Sequence, residues 1–443
     1  MKPANSDPDR SVGSGSPDNS NDDFSLVSGQ EELPLPPNRF GNGGERRFRQ
    51  RSPSRPGILS NRLTTSSRIE RPAEWQRQSF DERNFSSGSN RPNEQIYGAL
   101  DLGTNNCRLL LARPSRRGFQ VVDAFSRIIR LGEGVSQTGR LSDLAMNRTL
   151  DALRVCAGKL HRHHVSRTRL VATQACRVAA NGSSFVDKVK NIFDLDIEIL
   201  TPKTEAHLAV AGCATLIDPT ADYVLVFDIG GGSSEIVWLD LTRLGSRRDV
   251  WTGRSDVNDA IVAWESLPVG VVTLAEHFGG REVTQATFAA MSKAVTELLL
   301  PFEAKHRFRE LMAGKPVHFL GTSGTVTTIA GVMLGLERYD RKRVDGIWLN
   351  VGDIDDVTSK LLGQSYEERI SEPCIGRERA DLVLAGCAIL DAILKLWPAD
   401  RLRVADRGLR EGILMQLMME DGVWRAGRRR RGRSKRSNGA EQS

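Results

Sequence analysis

VFDIGGGSSEIV, from Val226 to Val237, is the stretch on which the reading of this chain turns. An apolar run from Tyr223 to Phe227 leads to Asp228. Gly230, Gly231 and Gly232 break it, and Ser233, Ser234 and Glu235 lead into Ile236, Val237 and Trp238. The pattern is strand, glycine turn, strand. Glycine has no Cβ, so backbone N–H groups can approach a ligand closely, and such a turn offers phosphate oxygens a concave set of donors. An acidic residue at the strand end suits a hydrated Mg²⁺ beside those phosphates. An ordinary hairpin needs fewer glycines, so phosphate handling is the favoured reading.

A second turn of this kind stands 127 positions earlier. GALDLGTNN, from Gly98 to Asn106, reads as a strand ending in Asp101 and a turn carrying Gly103, Thr104 and Asn105. Arg108 to Ala112 returns, and Phe119 to Leu131 adds a third strand, completing an antiparallel meander. A third turn follows a strand at Val317 to Leu320, where Gly321, Thr322 and Ser323 open a helix. Its N-terminus could either attract an anion or simply join strand to helix.

Between and beyond these turns strands alternate with helices, which implies an α/β layer fold. Ser142 caps a helix reaching His164, with Leu144, Leu150, Leu153, Val155 and Leu160 on its apolar face. Arg169 to Thr173 is a short strand, with Arg177 just beyond it. Ser184 to Phe193 is a helix, Ile197 to Leu200 a strand, and Thr204 is the expected cap of a helix beginning at Glu205. Thr242 to Ala263 is polar and reads as an extended surface loop. Thr284 to Leu311 reads as one long amphipathic helix. A helix from Arg379 to Trp397, a strand from Leu402 to Asp406 and a helix ending near Glu420 close the ordered part.

Residues 1–95 are rich in Ser, Asn, Pro, Gly, Asp and Arg, with too little apolar area to offset the entropy of ordering, so a disordered tail is expected. Residues 424–443 read as a second, basic disordered tail, with Arg425, Arg428 to Arg431, Arg433, Lys435 and Arg436. The net charge of +7 is concentrated in these ends. The basic tail is either a solvated end or a tether for polyanions, polyphosphate or RNA. Six scattered cysteines without a CxxC pair argue against a zinc site and for a reduced cytoplasmic setting. No signal sequence or membrane span is legible.

The order of turns resembles the superfamily of actin, sugar kinases and heat-shock ATPases. Within it the wording is similar to the Ppx/GppA family of exopolyphosphatases and guanosine pentaphosphate phosphohydrolases. The matching stretches are ALDLGTNNCRLLLAR (Ala99 to Arg113), VATQACRVAAN (Val171 to Asn181), TEAHLAVAG (Thr204 to Gly212), VFDIGGGSSEIV, SLPVGVVTLAEHF (Ser266 to Phe278), FLGTSGTVTTIAG (Phe319 to Gly331), RADLVLAG (Arg379 to Gly386) and ADRGLREG (Ala405 to Gly412). They cover nearly all of the chain from Tyr97 to about Glu420 in order.

The resemblance implies two actin-like, ribonuclease H-like domains with mixed five-stranded sheets flanked by helices and a cleft between them. The first would span residues 96–221 and the second 222–423, with the last helix packing back on the first. It assigns the water-activating base to Glu205, and Mg²⁺ or another divalent cation to Asp101, Asp228 and Glu235. Phosphate contacts fall to Gly103, Thr104, Asn105, Arg177, Gly230, Gly231, Gly232 and Ser233, with Gly321, Thr322 and Ser323 at the third turn. The family's arginine two positions after the base is His207 here. The implied substrates are inorganic polyphosphate or pppGpp, and a homodimer is compatible. The chain resembles the short form that lacks an additional C-terminal helical domain. Cleavage of a phosphoanhydride by water needs a positioned carboxylate and donors for the spreading charge, and these residues supply both. A kinase of the same superfamily and a non-catalytic binder of polyphosphate or alarmone are the competing readings.

Overall fold

The computed structural model describes residues 95–116, 118–245 and 257–424. Most of the polar first stretch and the arginine run from Arg425 lie outside the described residues. In chain order the elements are β1 (Tyr97–Leu102), β2 (Asn106–Ser115), β3 (Gly118–Ile128), α1 (Val135–Thr138), α2 (Asp143–Arg162), β4 (Arg167–Ala172), α3 (Gln174–Val178), α4 (Gly182–Phe193), β5 (Ile197–Ile199) and α5 (Pro202–Cys213). Then follow β6 (Tyr223–Ile229), β7 (Ser234–Asp240), β8 (Ile261–Leu267), α6 (Val271–Phe278), α7 (Gln285–His306), α8 (Phe308–Met312), β9 (Val317–Thr322) and α9 (Ser323–Met333). The described chain closes with α10 (Arg341–Val344), β10 (Trp348–Asn350), α11 (Val351–Gly363), α12 (Tyr366–Ser371), α13 (Val383–Leu396), β11 (Arg401–Ala405) and α14 (Leu409–Glu420).

Two mixed sheets carry the fold. The first has the order β3-β2-β1-β4-β5, and the second β10-β11-β9-β6-β7-β8. In each, the strand that ends in an aspartate is central, antiparallel to the next strand and parallel to a later one. The second sheet has six strands rather than the expected five, because the three-residue β10 adds antiparallel to β11 at the edge. A segment that short carries no periodic signal.

Each sheet buries one face against its own helices. Leu100, Leu102 and Leu109 meet Leu153, Phe185 and Val189 in the first. Phe227, Trp238 and Phe319 meet Val295, Leu299 and Ile393 in the second. The remaining faces are covered crosswise. Ala206, Val210 and Cys213 of α5 pack on Val224, Val226 and Val237 of the second sheet. Leu409, Ile413 and Leu417 of α14 pack on Tyr97, Ala99 and Leu110 of the first. Trp424, placed in the tail by the sequence reading, donates its Nε1 hydrogen to the Ser115 carbonyl at 2.9 Å.

Several element boundaries differ from expectation for local reasons. Thr201, not Thr204, caps α5, because Pro202 takes the first helical position, where its missing N–H costs nothing. The expected surface loop ends early: residues 257–260 form a 3₁₀ turn and Ile261 begins β8. The long helix breaks at Arg307, whose φ of 54° separates α7 from α8. Leu144, expected on the apolar face of α2, is exposed, as the first turn of a helix often is before it meets its sheet. No helix among the described residues is long and apolar enough to cross a membrane.

The crossing of α5 and α14 depends on glycine. A Cβ on Gly212 would overlap the Gly408 carbonyl, and one on Gly412 would overlap the Leu208 carbonyl, both rigid backbone groups. Gly412→Ala is expected to destabilise the protein by about 1–3 kcal/mol through overpacking, measured by urea unfolding. An unchanged unfolding midpoint would show that the two helices separate without cost.

Candidate active site

The cleft is built from the two glycine turns and the ends of the helices that cross between the sheets. Turn β1–β2 closes with the Gly103 N–H donating to the Asn106 carbonyl at 2.9 Å. The Thr104 carbonyl accepts from Gly132 N–H at 2.9 Å, and the Asn105 carbonyl from Ile129 and Arg130 N–H groups at 2.9 and 3.1 Å. Turn β6–β7 closes from Gly230 N–H to the Ser233 carbonyl at 3.0 Å. It is pinned to the start of α6 by Val271 and Val272 N–H groups, which donate to the Gly230 and Gly231 carbonyls at 3.0 and 2.7 Å. The carbonyls of Thr104, Asn105, Gly230 and Gly231 are thus spent on the scaffold. The N–H groups of Thr104, Asn105, Gly231, Gly232 and Ser233 have no acceptor among the described residues. Five free donors on two facing turns suit an anion.

The turns touch each other. A Cβ on Gly231 would lie 3.0 Å from Thr104 Cβ and 3.2 Å from Asn105 N, and one on Gly232 would collide with Gln174, whose Oε1 accepts from the Thr104 hydroxyl at 3.2 Å. Gly231 and Gly232 are therefore needed for the approach, and Gly230 for the turn itself, where a Cβ would lie 2.8 Å from the Ser233 carbonyl oxygen.

Register places the charged groups. Asp101 stands directly across from Arg108 on β2, and Asp228 directly across from Glu235 on β7. The two hairpins share a seven-residue spacing, with arginine at the position of one where the other has glutamate. Glu235 is buried, and its Oε1 accepts from the hydroxyls of Ser233 at 2.8 Å and Ser266 at 2.9 Å. Glu205, on the first turns of α5, accepts at Oε2 from Arg177 Nη1 at 2.9 Å. Thr322 ends β9, hydrogen-bonded to the Arg407 carbonyl, and Ser323, at a φ of 73°, opens α9 with its hydroxyl toward Asp228.

Crowding these carboxylates in a low-dielectric cleft disfavours their charged forms. Burial pushes the Asp101 and Asp228 carboxyls up, with a further push on Asp101 from Glu411 and on Asp228 from Asp101. Glu235 is driven well above the ordinary range by burial and by Glu205 and Asp228. Glu205 is pushed up to about 7 by burial, against the lowering effect of Arg177 and with a further push from Asp101 and Asp228.

Asp101, Gly103, Thr104, Asn105, Glu205, Asp228, Gly230, Gly231, Gly232, Ser233, Glu235, Thr322 and Ser323 all line this one cleft. Two expected phosphate residues do not. Gly321 lies within β9, where a Cβ would meet the Phe227 ring at 2.6 Å, so packing accounts for it. Arg177 lies behind Glu205, with Nη1 shared between that carboxylate and the Leu200 carbonyl, both at 2.9 Å. The sequence reading missed Arg108, Arg379, Arg407 and Arg410, which also line the cleft. Arg108 could have been found by superposing the two hairpins, since it occupies the position of Glu235. Neither Arg108 nor Arg410 has a hydrogen-bond partner among the described residues, whereas Arg407 is held by Asp345 at 2.7 Å.

A model of the Ppx/GppA phosphatase family matches residues 110–421. The chain belongs to the Ppx/GppA phosphatase family. Similar solved structures bear this out. The Aquifex aeolicus family member is 27% identical, with 74% of this chain and 98% of that one covered and a TM-score of 0.59. An exopolyphosphatase-like protein is 29% identical, with 73% and 99% covered and a TM-score of 0.63. An exopolyphosphatase from Cytophaga hutchinsonii shares the fold at 24% identity, with 74% and 99% covered and a TM-score of 0.64. Family and fold together make this an actin-like α/β protein of phosphatase ancestry.

Divalent cations are general in Ppx/GppA phosphatases. Among the described residues no three His, Cys, Asp or Glu side chains converge as a ready-made metal cage. Mg²⁺ needs none, because it retains waters and takes one or two carboxylates together with substrate oxygens. Asp228 Oδ1 is buried without a hydrogen-bond partner, as is Asn105 Oδ1. An orphaned carboxylate oxygen among mutually repelling acids fits a cation.

The pH dependence of stability follows from the same groups. A carboxyl whose folded pKa is raised favours the folded state when protonated, so its contribution is present below the unfolded pKa and lost as pH rises through the folded value. Without divalent cation, the unfolding temperature is expected to fall between pH 5 and pH 8. Mg²⁺ should raise it at pH 8 and hardly at pH 5, and Asp228→Asn should reduce both effects, read by differential scanning fluorimetry. A Mg²⁺ response at pH 8 that Asp228→Asn leaves intact would place the cation elsewhere.

Proposed function

We propose that this protein is a phosphoanhydride hydrolase that releases terminal orthophosphate from inorganic polyphosphate, the 5′-phosphate from pppGpp, or both. The observation that carries the reading is a largely buried glutamate with a near-neutral pKa, Glu205, lining the same cleft as two glycine turns with free backbone donors. A base with a pKa near the working pH combines a large deprotonated fraction with a useful affinity for the proton.

In this reading the terminal phosphoryl group sits between the turns, its oxygens accepting from the free N–H groups of Thr104, Asn105, Gly231, Gly232 and Ser233. A water lies between Glu205 and the phosphorus, in line with the bridging oxygen. Its oxygen forms the new bond to phosphorus while Glu205 takes its proton, and the bond from phosphorus to the bridging oxygen breaks. The electron pair leaves with the shortened chain. Phosphoryl transfer of this kind is catalysed mainly by positioning and by groups that meet the charge on the equatorial and leaving oxygens. Arg108 and Arg410, the guanidiniums without hydrogen-bond partners, supply positive charge on the cleft wall. Mg²⁺, when bound at Asp228 with Asp101 and Glu235 nearby, would neutralise phosphate charge. Arg177 holds the Glu205 carboxylate in place from behind.

Glu205→Gln keeps the shape and removes the base. The expected result is a loss of about 10²–10⁴-fold in kcat in phosphate release from polyphosphates of defined length and from pppGpp, assayed side by side with Mg²⁺. Release as fast as wild type would remove Glu205 from the chemistry. Binding of these compounds by wild type without any release would favour the non-catalytic binder.

A further inference from the structure

We propose that Arg341, outside the cleft, is a positioning residue that keeps the Arg410 guanidinium available to the substrate anion; the inference rests on the hydrolase reading above. Arg341 opens the short helix α10, and its side chain reaches two acids that themselves line the cleft, Asp406 and Glu411. Its Nη2 donates to Glu411 Oε1 at 2.9 Å and to the Asp406 carbonyl, and its Nε lies 3.4 Å from Asp406 Oδ2. Tyr339, two residues earlier, donates its hydroxyl to the same Asp406 oxygen at 2.7 Å. Glu411 is satisfied on its other side, where Oε2 accepts from the Gly408 N–H at 3.0 Å.

The consequence falls on Arg410. It adjoins Glu411 in sequence, yet its Nη2 stands 4.0 Å from Glu411 Oε1, beyond hydrogen-bond reach, and it donates to nothing among the described residues. A largely buried guanidinium with one loose ion pair and no hydrogen bond is costly. The Glu411 Oε1 that it faces is held by Arg341, and Oε2 by the Gly408 N–H. Glu411 is buried, which works to raise its pKa, but Arg410 and Arg341 outweigh burial and keep the carboxyl below its ordinary value, ionised and ready to accept any donor that Arg341 vacates. Without Arg341, Glu411 Oε1 loses its partner and Arg410 needs to move little more than 1 Å to replace it. Substrate phosphate would then compete with an internal carboxylate for the same guanidinium. Arg341 is partly solvent-exposed and does not line the cleft, so it acts through Arg410 and not on the substrate itself.

The test uses the full chain with Mg²⁺ and inorganic tripolyphosphate, read both as KM and kcat for phosphate release and as a calorimetric Kd. Arg341→Gln is expected to raise KM and Kd by about tenfold, the worth of one charge-assisted hydrogen bond, with kcat within about threefold of wild type. Arg341→Lys should give a smaller rise in both. The double variant Arg341→Gln with Glu411→Gln removes the competing charge while leaving an oxygen for the Gly408 N–H, and should return KM and Kd to within about threefold of wild type. Unchanged KM and Kd in Arg341→Gln, or a double variant as weak as the single one, overturns the inference. If Arg341→Gln does not fold, Arg341→Lys decides, and an unchanged Kd in it overturns the inference. Wild type that binds tripolyphosphate without releasing phosphate sinks the hydrolase reading alone, and the Kd series still judges Arg341. Wild type that does neither sinks both.

Discussion

Mutual repulsion among acids in one cleft is the constraint from which the rest of this structure follows. Asp101, Glu205, Asp228 and Glu235 come from four different elements, and each is pushed toward its neutral form by burial and by neighbouring acids. An arrangement of this kind costs stability unless something positive joins it. The hydroxyls of Ser233 and Ser266 relieve Glu235, and Arg177 partly relieves Glu205. Asp228 keeps an oxygen with no partner. The same cleft wall carries Arg108 and Arg410 without hydrogen-bond partners, Arg410 standing 4.0 Å from Glu411, so charges of both signs lie close together with donors left over. That is the signature of a site arranged for a ligand bearing phosphate and a cation, with function placed ahead of stability.

The crosswise packing of α5 and α14 is what holds this arrangement. Glu205 travels with α5, which covers the second sheet, and Arg410 and Glu411 travel with α14, which covers the first. Each helix therefore brings a charged group from one half of the chain to the sheet of the other, and the two meet where Gly212, Gly408 and Gly412 allow backbone contact. The segment from Tyr339 to Asp345 braces the start of α14 from outside, through Tyr339, Arg341 and Asp345. Glu205, the two glycine turns and the guanidiniums are thus held by regular elements, the condition for a preorganised site.

Much of this was legible in the chain itself. The glycine turns at Asp101 and Asp228 announce themselves because local spacing alone sets their geometry, and all of their residues line the cleft. Glu205 was visible only through the resemblance, since a glutamate near a helix start is ordinary. What escaped was whatever depends on register or on distant packing. Arg108 gains its meaning from standing across from Asp101, which requires the strand pairing. Gly321 looked like a phosphate residue, but it is needed because Phe227 lies against it. Arg177 was expected on the phosphate and is found on Glu205. The edge strand β10 was too short to show a period, and β8 was hidden behind a polar stretch that outweighed the alternation of its own residues. Arg341 acts on residues 65 and 70 positions away, a relation that no local pattern encodes.

The central claim is that the largely buried carboxylate of Glu205 takes the proton from the attacking water, and the pH dependence of kcat/KM for phosphate release tests it most directly. With Glu205 as the essential base at a pKa of about 7, kcat/KM should fall as pH drops below that value and level off above it. Because the hydrogen bond and charge of Arg177 hold that pKa down, Arg177→Gln should move the acid limb to higher pH. An acid limb that stays in place in Arg177→Gln, or one that lies in the ordinary carboxylate range in wild type, would contradict the assignment.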